Sequence, residues 1–558
     1  MKQIFKQNIK PMQTRMVVER ESNSLTSQSF ACRNSGTSKI KKLLIVLCLF
    51  IGVGNVTYAN NVAVSSVTLT GQNTAFDFTL VQFNISWDNS WRTSVGPSNC
   101  DAAWVFVKYR KKTQATWNHA TLNWVDGTGS GEGHTEPSNS NIASSNNGAG
   151  GAYGVFIHRN ADMLQGSVSY SGVQLRWNYG VNGVADYDSV EVCVFAIEMV
   201  YVPQDIFVAG SGGTESGAFY TYPTTTNPYT ISSEAAITVG TTAGNLYYPN
   251  PSTFSGDQTG PIPAAFPKGF NAFYCMKYEI TQEQYVEFLN KLTYTQQATR
   301  TATAPNSVAG TGALINPNNF RNGIDIMTPG VSTITPAVYA CNLDGDAFYN
   351  ETNDGASIAC NYLSWADLAA YLDWTALRPM TELEYEKACR GNQAAVADEY
   401  AWVTTIILGA TAISNAGLTN ETASNAGANA VYNNAAGVQG PMRVGSLGQG
   451  VNTRIGVGAS YYGIMELSGN NWERPVTAGN ATGRAFTGVH GNGVIDATGN
   501  ANASLWPNTT ATGAGFRGGA WRWLGGAVYL RVSDRYDAAD TVSGRSPDYA
   551  GRGVRSVP

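Results

Sequence analysis

At 558 residues the chain is too long for a single hydrophobic core, and we predict that it forms two or three domains. Charged residues make up only 13% and the net charge is −5, which excludes the basic footprint of a nucleic-acid-binding protein and a basic membrane-binding face. Its 60 glycines and 11% aromatic residues instead indicate a turn-rich protein whose core consists mainly of β-strands.

The first feature along the chain is an apolar run preceded by positive charge. Three lysines between positions 39 and 42 precede the apolar residues 43–53, and Thr-Tyr-Ala at 57–59 resembles a small-residue cleavage site. The run is too short to span a membrane comfortably, and the pattern is typical of a secretory signal. We therefore expect residues 1–59 to be a signal region that is removed on export, and the mature protein to be extracellular or on the cell surface.

Residues 60–197 consist of short segments in which apolar and polar residues alternate. In VQFNISW, the four large apolar residues from Val81 to Trp87 occupy every second position, as in a half-buried strand. The other segments are AWVFVKY, YGVFIH, VQLRWNY and VEVCVFAI, separated by clusters of Gly, Asn and Ser. We predict an all-β domain, most simply a sandwich, with a flexible loop at residues 136–151.

The cysteines of an exported protein would meet an oxidising environment. Cys100 and Cys193 share the predicted N-terminal domain, and Cys341 and Cys360 bracket a polar loop that a disulfide could close. Free buried thiols are the alternative for each pair, because the sequence alone does not determine pairing.

From residue 198 onwards the pattern changes to amphipathic helices separated by long loops. Thr281 can cap a helix that carries Tyr285 and Phe288 on one face, and Thr381, with Glu384 three residues later, can cap another. A further helix carries Leu368, Tyr371 and Leu372 at helical spacing. Residues 403–460 are rich in Gly, Ala and Asn and are predicted to form long loops. The predicted fold class is therefore α+β.

Four segments of this region resemble the formylglycine-generating enzyme, or sulfatase-modifying factor, family. They are MVYVPQDIFVAGS, KYEITQEQYVEFLN, SWADLAAYLDWTALRPMTELEYEKACRG, and GIMELSGNNWER with the later FRGGAWRW and GRGVR. Because the four segments occur in the family's order, residues 198–558 are identified as a member of that family. The resemblance implies a C-type-lectin-like fold with long loops.

The resemblance also implies a copper-dependent oxidase, which uses two cysteines after the paired glycines. Counting forward from Gly518 and Gly519, those positions hold Trp523 and Val528, and no cysteine follows Cys389. Thiolate ligation of copper is therefore excluded there. We predict that the protein is not an enzyme and binds no copper.

Other cofactor chemistry finds little support in the sequence. His119, His134, His158 and His490 are scattered without metal-ligand spacing and are interpreted as surface or loop residues. No Gly-rich loop opens a helix after a strand, so no nucleotide cofactor is predicted.

A calcium site is the one metal site that the sequence supports. In GIMELSGNNWER the carboxylates of Glu466 and Glu473 flank a Gly-Asn turn, which is the hard oxygen environment that Ca²⁺ prefers. The resemblance maps the family's calcium turn onto Glu466, Gly469, Asn471 and Glu473. We expect such an ion to be structural; the alternative is a turn that only packs Trp472 into the core.

The segment from Phe516 to Pro558 contains two classes of position. RGG-W, LRVSDR and GRGVR are predicted to be scaffold, with glycines for close backbone approach and arginines in buried pairs that involve Asp534. Residues 522–529 and 536–550 lie between them and lack any periodicity. This layout resembles the variable proteins of diversity-generating retroelements, which display a mutable C-terminal surface on a lectin-like fold.

The composition of the segment agrees with that resemblance. In such systems template adenines are randomised, typically at AAY codons, which cannot become Lys, Glu, Gln or Met. None of these four residues occurs from Phe516 to Pro558, although the rest of the chain uses them freely. Trp523 is an exception, because an AAY codon cannot yield Trp.

The sequence therefore predicts a diversifiable ligand-binding surface protein. The partner would be a protein or glycan ligand on another cell, a phage or a host surface; nucleic acid is excluded, and the N-terminal domain would serve attachment or self-assembly. An invariant structural or adhesive module is the alternative, and a copper-dependent oxidase the third. The predicted ligand-binding residues are Arg522, Trp523, Leu524, Ala527, Val528, Tyr529, Tyr536, Asp537, Asp540, Val542, Ser543, Ser546, Asp548 and Tyr549.

Overall fold

This computed structural model describes residues 61–447, 453–522 and 525–558, so the predicted signal region lies outside the described residues. The strands are β1 (Ala63–Asn73), β2 (Phe78–Arg92), β3 (Asp101–Lys111), β4 (Asn118–His119), β5 (Leu122–Asn123), β6 (Ser140–Asn146), β7 (Gly151–Arg159), β8 (Met163–Trp177), β9 (Val190–Val202), β10 (Phe207–Ala209), β11 (Tyr220–Thr221), β12 (Tyr229–Ile231), β13 (Leu246–Tyr247), β14 (Phe273–Met276), β15 (Ile324–Thr328), β16 (Val338–Cys341), β17 (Arg378–Pro379), β18 (Ile413–Ser414), β19 (Thr422–Ala423) and β20 (Gly553–Ser556).

Helices are few and short. They are α1 (Gln282–Leu289), α2 (Tyr294–Arg300), α3 (Trp365–Trp374), α4 (Glu382–Arg390) and α5 (Ala481–Arg484), with a 3₁₀ helix at Gly526–Leu530. The protein is thus mostly β, with less helix than an α+β label implies. Within the described ranges, no helix is long and apolar enough to cross a membrane.

One 12-stranded sheet organises the molecule, in the order β1-β2-β8-β5-β7-β3-β9-β14-β20-β17, with β4 paired to β3 and β6 to β7. The strands expected to form a sandwich are therefore hydrogen-bonded neighbours in one sheet. That sheet curls, because Val64 on β1 and Val192 on β9 pack on the same core. Alternation along a strand predicts burial on one face, but it does not distinguish a curled sheet from two stacked ones.

β2 illustrates how alternation builds the N-terminal core. Val81, Phe83, Ile85 and Trp87 are at most 1% exposed and cluster with apolar side chains of β3, β7 and β8. All five segments predicted to be strands lie in strands of the sheet.

The expectation of a flexible loop at residues 136–151 is wrong for its central part. β6 pairs antiparallel with β7, and its Ile142 faces Ile157. The strand consists of Ser, Asn and Ala apart from this one buried isoleucine. The polar composition of β6 therefore gave no indication of a strand, because β6 is stabilised by backbone pairing with β7.

β9 carries the sheet from the N-terminal unit into the C-terminal unit. Val200 pairs with Asp101 of β3 on one side and with Cys275 of β14 on the other. The predicted boundary between residues 197 and 198 therefore lies inside a strand. β20 follows β14 in the sheet and is paired on its other side with β17, so it is an interior strand.

Two buried side chains of β3 join the N-terminal unit to the end of helix α3. Trp104 donates from Nε1 to the carbonyl of Thr375 at 2.9 Å, and Lys108 donates from Nζ to the carbonyls of Trp374 and Gly493 at 2.6 and 2.5 Å. Burial lowers the pKa of Lys108 well below its usual value. The carbonyl-rich C-terminal end of a helix is a favourable place for such a cation.

Neither candidate disulfide is present, and all four cysteines are free. Cys193 faces Lys108 on β3, whereas Cys100 precedes Asp101 at the other end of that strand, so the first pair is too far apart to bond. Cys341 and Cys360 belong to one buried cluster and remain thiols. All four are free thiols, as the alternative predicts, but only Cys100, Cys341 and Cys360 are buried, and Cys193 is half-buried.

The helix caps agree with the sequence. Thr281 and Thr381 each form a capping box, with Gln284 and Glu384 as the reciprocal partners. Ser364 caps α3 in the same way, and the apolar residues of that helix are buried. Residues 403–460 contain only the two short strands β18 and β19 within their described part, as expected for long loops.

The interpretation of the histidines as surface or loop residues is wrong for His119 and His158, which lie in β4 and β7 and are 6% and 9% exposed. His134 and His490 lie in loops as predicted, although His134 is buried. His119 stacks on Phe106 with 5.7 Å between ring centroids, and burial lowers its pKa well below the usual value. Burial also lowers the pKa of His134 to about 4.

Candidate functional site

Two arginines of residues 516–558, Arg517 and Arg535, are anchored in a buried acidic cluster. Arg517 contacts Glu382 through Nη1 at 3.0 Å and Glu386 through Nη2 at 2.8 Å, and Arg535 contacts Glu382 through Nε at 2.6 Å. All four side chains are inaccessible to solvent. Buried charges persist only when they are paired, so the prediction that these arginines belong to the scaffold is confirmed.

Glu382 is the centre of this cluster and lies in the first turn of α4. It also accepts hydrogen bonds from the Thr477 hydroxyl at 3.0 Å and the Ala478 amide at 2.7 Å. Burial opposes its ionisation, but Arg535 and Arg517 outweigh burial and hold the pKa of Glu382 below its usual value.

Asp534 is not the partner of these arginines, contrary to expectation. Its carboxylate accepts the amides of Ser216 and Tyr536 at 3.3 and 3.2 Å, and burial raises its pKa to about 6. The true acidic partners lie more than a hundred residues earlier in the chain. Sequence proximity therefore pointed to the wrong carboxylate.

The paired glycines of the RGG motif are required by close approach. Gly518 and Gly519 both have positive φ, at 85° and 67°. A Cβ on Gly518 would lie 2.7 Å from the Leu467 carbonyl oxygen, and one on Gly519 would lie 2.6 Å from a methyl carbon of Leu530. Only glycine fits this turn.

Five aromatic rings form a continuous row along the C-terminal segment, which we call the aromatic strip. Successive ring centroids are 4.6 Å apart for Tyr549–Phe516, 5.9 Å for Phe516–Trp472, 6.2 Å for Trp472–Tyr529 and 5.9 Å for Tyr529–Tyr536. Trp472 and Phe516 are buried, whereas the three tyrosines are only half-buried. Three predicted ligand-binding tyrosines thus converge on a rigid aromatic base.

Arg474 lies beneath the strip. Its guanidinium is 4.3 Å from the Phe516 ring centroid and 5.5 Å from that of Tyr549. Nη2 donates to the Val542 carbonyl at 2.5 Å, while Nε and Nη1 have no hydrogen-bond partner among the described residues. Burial lowers the pKa of Arg474 to about 10. The strip therefore combines aromatic surface with an underlying positive charge.

Acidic side chains surround Tyr549. Burial raises the pKa of its hydroxyl to about 12, and Asp548, Asp540 and Asp537 add to the shift by repulsion. Burial also raises the pKa of Asp537 to about 7, assisted by Asp540. Of these three predicted ligand-binding acids, Asp548 is only 3% exposed, so its side chain is largely unavailable to a ligand, whereas Asp537 and Asp540 are half-buried.

The other predicted ligand-binding residues lie around the strip with differing exposure. Arg522 is exposed and lies 5.7 Å from the ring centroid of Phe320. Val528 and Val542 are 41% and 42% exposed. Ser543 is exposed, and Ala527 and Ser546 are half-buried. Trp523 and Leu524 lie outside the described residues.

The sequence did not identify several residues that support the strip. Trp472 and Arg474 belong to the motif interpreted as the calcium turn, and Phe516 directly precedes the RGG motif interpreted as scaffold. Their aromatic neighbours were a usable signal. A second contribution comes from a distant loop, where Ser252 and Ser255 donate to the Tyr536 carbonyl at 3.0 Å. Nothing in the sequence of that loop indicated its position.

The predicted calcium turn has buried oxygen atoms that lack partners. Glu466 accepts the Gly445 amide at 2.7 Å through Oε1, and Glu473 binds Arg552 through Oε1. Within the described part of the chain, the Oε2 atoms of both glutamates and Oδ1 of Asn471 are buried without a hydrogen bond. Gly469 has φ of 99°, and a Cβ there would meet the Val431 carbonyl at 2.6 Å.

A third acid at this turn was missed by sequence reasoning. The Glu279 carboxylate accepts a hydrogen bond from the backbone amide of Asn471 at 2.9 Å. Burial and the nearby Glu473 raise the pKa of Glu279 well above its usual value. Among the described residues, the carboxylates of Glu279, Glu466 and Glu473 are not gathered within 4.8 Å of one another. The turn therefore offers hard oxygen donors of the kind that Ca²⁺ prefers, but its three carboxylates do not converge on one point.

Copper does not fit the position that the family resemblance implies. Val528 lies exposed on the 3₁₀ helix, and the sequence offers no cysteine beyond Cys389. The soft thiolates that such a copper ion needs are not available from this segment.

Comparison with known proteins places the chain in a family. No curated protein matches it. The family model of the sulfatase-modifying factor enzyme 1-like domain matches residues 225–551, which is more than half of the 558 residues and includes α4, the calcium turn and the aromatic strip. The chain therefore belongs to the sulfatase-modifying factor enzyme 1-like family.

Proposed function

We propose that this family member is an exported, non-enzymatic ligand-binding protein that displays a diversifiable patch on a C-type-lectin-like scaffold. The patch comprises the aromatic strip and the residues around it. Its ligand would be a protein or a glycan on another cell, a phage or a host surface.

The proposal rests on the contrast between buried, ion-paired positions and exposed positions within residues 516–558. Arg517, Arg535 and Arg552 are inaccessible and ion-paired, whereas Val528 and Val542 are each about two-fifths exposed. Substitution at the exposed positions would leave the buried pairs intact. Binding specificity and folding would then depend on different side chains, as in other loop-borne binding sites.

The chemistry of the patch suits recognition of varied ligands. Tyrosines offer large, stiff and amphipathic contact area at low entropic cost, and they are prominent in antibody binding sites for this reason. Asp537 and Asp540 add hydrogen-bond acceptors beside Tyr549. In this proposal the calcium ion at Glu466 and Glu473 is structural, and the N-terminal unit serves attachment or self-assembly.

Deep sequencing of the DNA that encodes residues 513–558, across a population of the source organism, tests the proposal. We expect substitutions confined to 522–529 and 536–550, each matching an adenine in a neighbouring near-copy repeat. An invariant segment without such a repeat would refute diversification and favour the alternative of an invariant structural or adhesive module. Copper loading with oxygen consumption by the purified protein would instead establish an oxidase.

A further inference from the structure

A loop outside the aromatic strip gathers acidic side chains that form no ion pair with any described residue. This acidic loop, residues 342–355, connects β16 to the segment that leads into α3. Asp344, Asp346 and Glu351 are exposed, and each offers a carboxylate oxygen within 4.8 Å of the others. Exposed acidic clusters are common, so this grouping alone does not establish a site.

A buried fourth acid distinguishes this cluster. Asp354 is fully buried, and its Oδ2 accepts the Glu351 amide at 2.7 Å. Its Oδ1 is inaccessible and has no hydrogen-bond partner within the described ranges. Asp344, Glu351 and Asp346 are close enough to act on this carboxyl by electrostatic repulsion. A buried carboxylate oxygen without a partner is costly unless a cation or a hydrogen-bond donor satisfies it.

The backbone of the acidic loop is already held in place. Asn350 closes its base, with the Asn350 amide donating to the Cys341 carbonyl at 3.0 Å and the Cys341 amide donating to Asn350 Oδ1 at 3.1 Å. At the other end, the Gly355 amide donates to the Gly417 carbonyl at 3.1 Å. None of the ion pairs between described residues includes any of the four acids.

We propose that the acidic loop binds a calcium ion through Asp344, Asp346 and Glu351, and that the buried Asp354, which lies outside this 4.8 Å group, completes the shell when the ion binds. Four carboxylates supply the hard oxygen ligands that Ca²⁺ prefers, whereas Mg²⁺ demands a stricter octahedral shell and retains its waters. This site is separate from the turn at Glu466 and Glu473 and does not depend on the proposed ligand-binding function. Its affinity is expected to be on the order of 0.1–1 mM, as in extracellular calcium modules.

Terbium luminescence provides a direct test, because Tyr349 lies inside the loop and can sensitise a bound Tb³⁺ ion. Full-length protein is titrated with Tb³⁺, and the emission is then competed with Ca²⁺ and with Mg²⁺. We expect saturable emission that Ca²⁺ displaces at lower concentration than Mg²⁺. Emission that does not saturate, or that Ca²⁺ fails to displace, would overturn the proposal.

Variants locate the ion. Asp344→Asn with Asp346→Asn changes two exposed side chains and should weaken terbium binding at least about tenfold, because affinity follows the number of charged ligands. The matched control, Asp126→Asn with Asp162→Asn, removes two exposed acids of the N-terminal unit and should bind as the unsubstituted protein does. Equal binding by the loop variant and the control would refute the site.

The buried acid needs a separate variant. Asp354→Asn keeps the shape of the side chain and removes its charge, and it should weaken binding while circular dichroism stays unchanged. Glu466→Gln should leave the tyrosine-sensitised emission intact, because it alters the other turn. If Glu466→Gln abolishes the emission and the exposed pair does not, the ion is bound at the turn and the proposal fails.

Discussion

At the scale of single residues, the C-terminal segment depends on a few acids that are distant in sequence. Glu382 pairs with both Arg517 and Arg535, which are 135 and 153 residues further along the chain. Arg517 also pairs with Glu386. Removing one partner of a buried pair leaves an uncompensated charge, which is far more costly than the net contribution of the pair. Glu382 therefore controls folding of the segment without contacting any proposed ligand.

Glu382→Gln should lower the free energy of unfolding by about 3–5 kcal/mol, because two buried guanidinium groups lose their shared counter-charge. Urea denaturation followed by circular dichroism measures this change. Asp162→Asn, at an exposed acid of the N-terminal unit, is the control and should change stability by less than about 0.5 kcal/mol. Equal stability of the two variants would contradict a central role for Glu382.

Tyr529→Ala combined with Tyr536→Ala should abolish ligand binding with little loss of stability. Both rings are half-buried, and the edge contact between them contributes only about 0.5–1.5 kcal/mol beyond its buried area. Binding of full-length protein to arrayed glycans and to cells of neighbouring species measures the effect. The control is Tyr187→Ala, a tyrosine that is 76% exposed in the N-terminal unit. A large fall in melting temperature would instead assign the two tyrosines to the core.

Asp537 should make the protein less stable as the pH rises. Its pKa is about 7 in the folded state, raised from 3.8 chiefly by burial, so the folded protein retains a proton that the unfolded chain loses. The contribution is fully present below the unfolded pKa and is lost as the pH rises through about 7. In Asp537→Asn the melting temperature should therefore change less between about pH 5 and 8 than in the unsubstituted protein. Identical calorimetric slopes would refute this assignment.

At the scale of secondary-structure elements, local signals determined what the sequence could predict. Thr281 and Thr381 sit three residues before Gln284 and Glu384, and both capping boxes form as expected. Strands with alternating apolar residues could be predicted from the sequence equally well. β6 was missed because its stability comes from pairing with β7 rather than from its own composition. The α+β prediction overestimated the helix content, because the long family domain contains mostly loops.

Thr381→Ala should cost about 0.5–2 kcal/mol, because the α4 cap is lost. The hydroxyl of Thr381 accepts the Glu384 amide and also donates to the Pro267 carbonyl at 2.8 Å, so the cap links α4 to a distant loop. Thr381→Ser keeps the hydroxyl and is the matched control. Chemical denaturation should rank the variants as unsubstituted, Ser and Ala, and an alanine variant as stable as the serine one would contradict the cap's importance.

At the scale of the whole molecule, the two predicted units share one sheet and one buried contact surface. β9 runs through the predicted boundary, and Lys108 of β3 is bound to the carbonyls at the end of α3. The sequence predicted the candidate site's scaffold arginines and its tyrosines. Their partners, Glu382, Trp472 and the Ser252 loop, come from distant parts of the chain. The aromatic neighbours of Trp472 were a usable signal, but a single sequence contains no signal for the contacts of Glu382 and of the Ser252 loop with this segment.

The protein should consequently unfold in one cooperative transition, with tryptophan fluorescence and circular dichroism giving the same midpoint. Lys108→Ala should lower that midpoint for both probes together, because it leaves the carbonyls of Trp374 and Gly493 without their donor. Val181→Ala changes a side chain of the N-terminal unit that is 74% exposed, and it serves as the control. Two separated transitions would show that the units fold independently.

The interior position of β20 bears on what the fold requires of its C-terminal segment. Because this strand follows the aromatic strip in sequence and lies between β14 and β17, the central sheet is completed only after the whole strip has been translated in frame. A frameshift or stop codon within residues 522–550 removes an inner strand and leaves β14 and β17 without their shared neighbour. Under the proposed diversification, folding would therefore discard truncated copies and retain copies that carry amino-acid replacements.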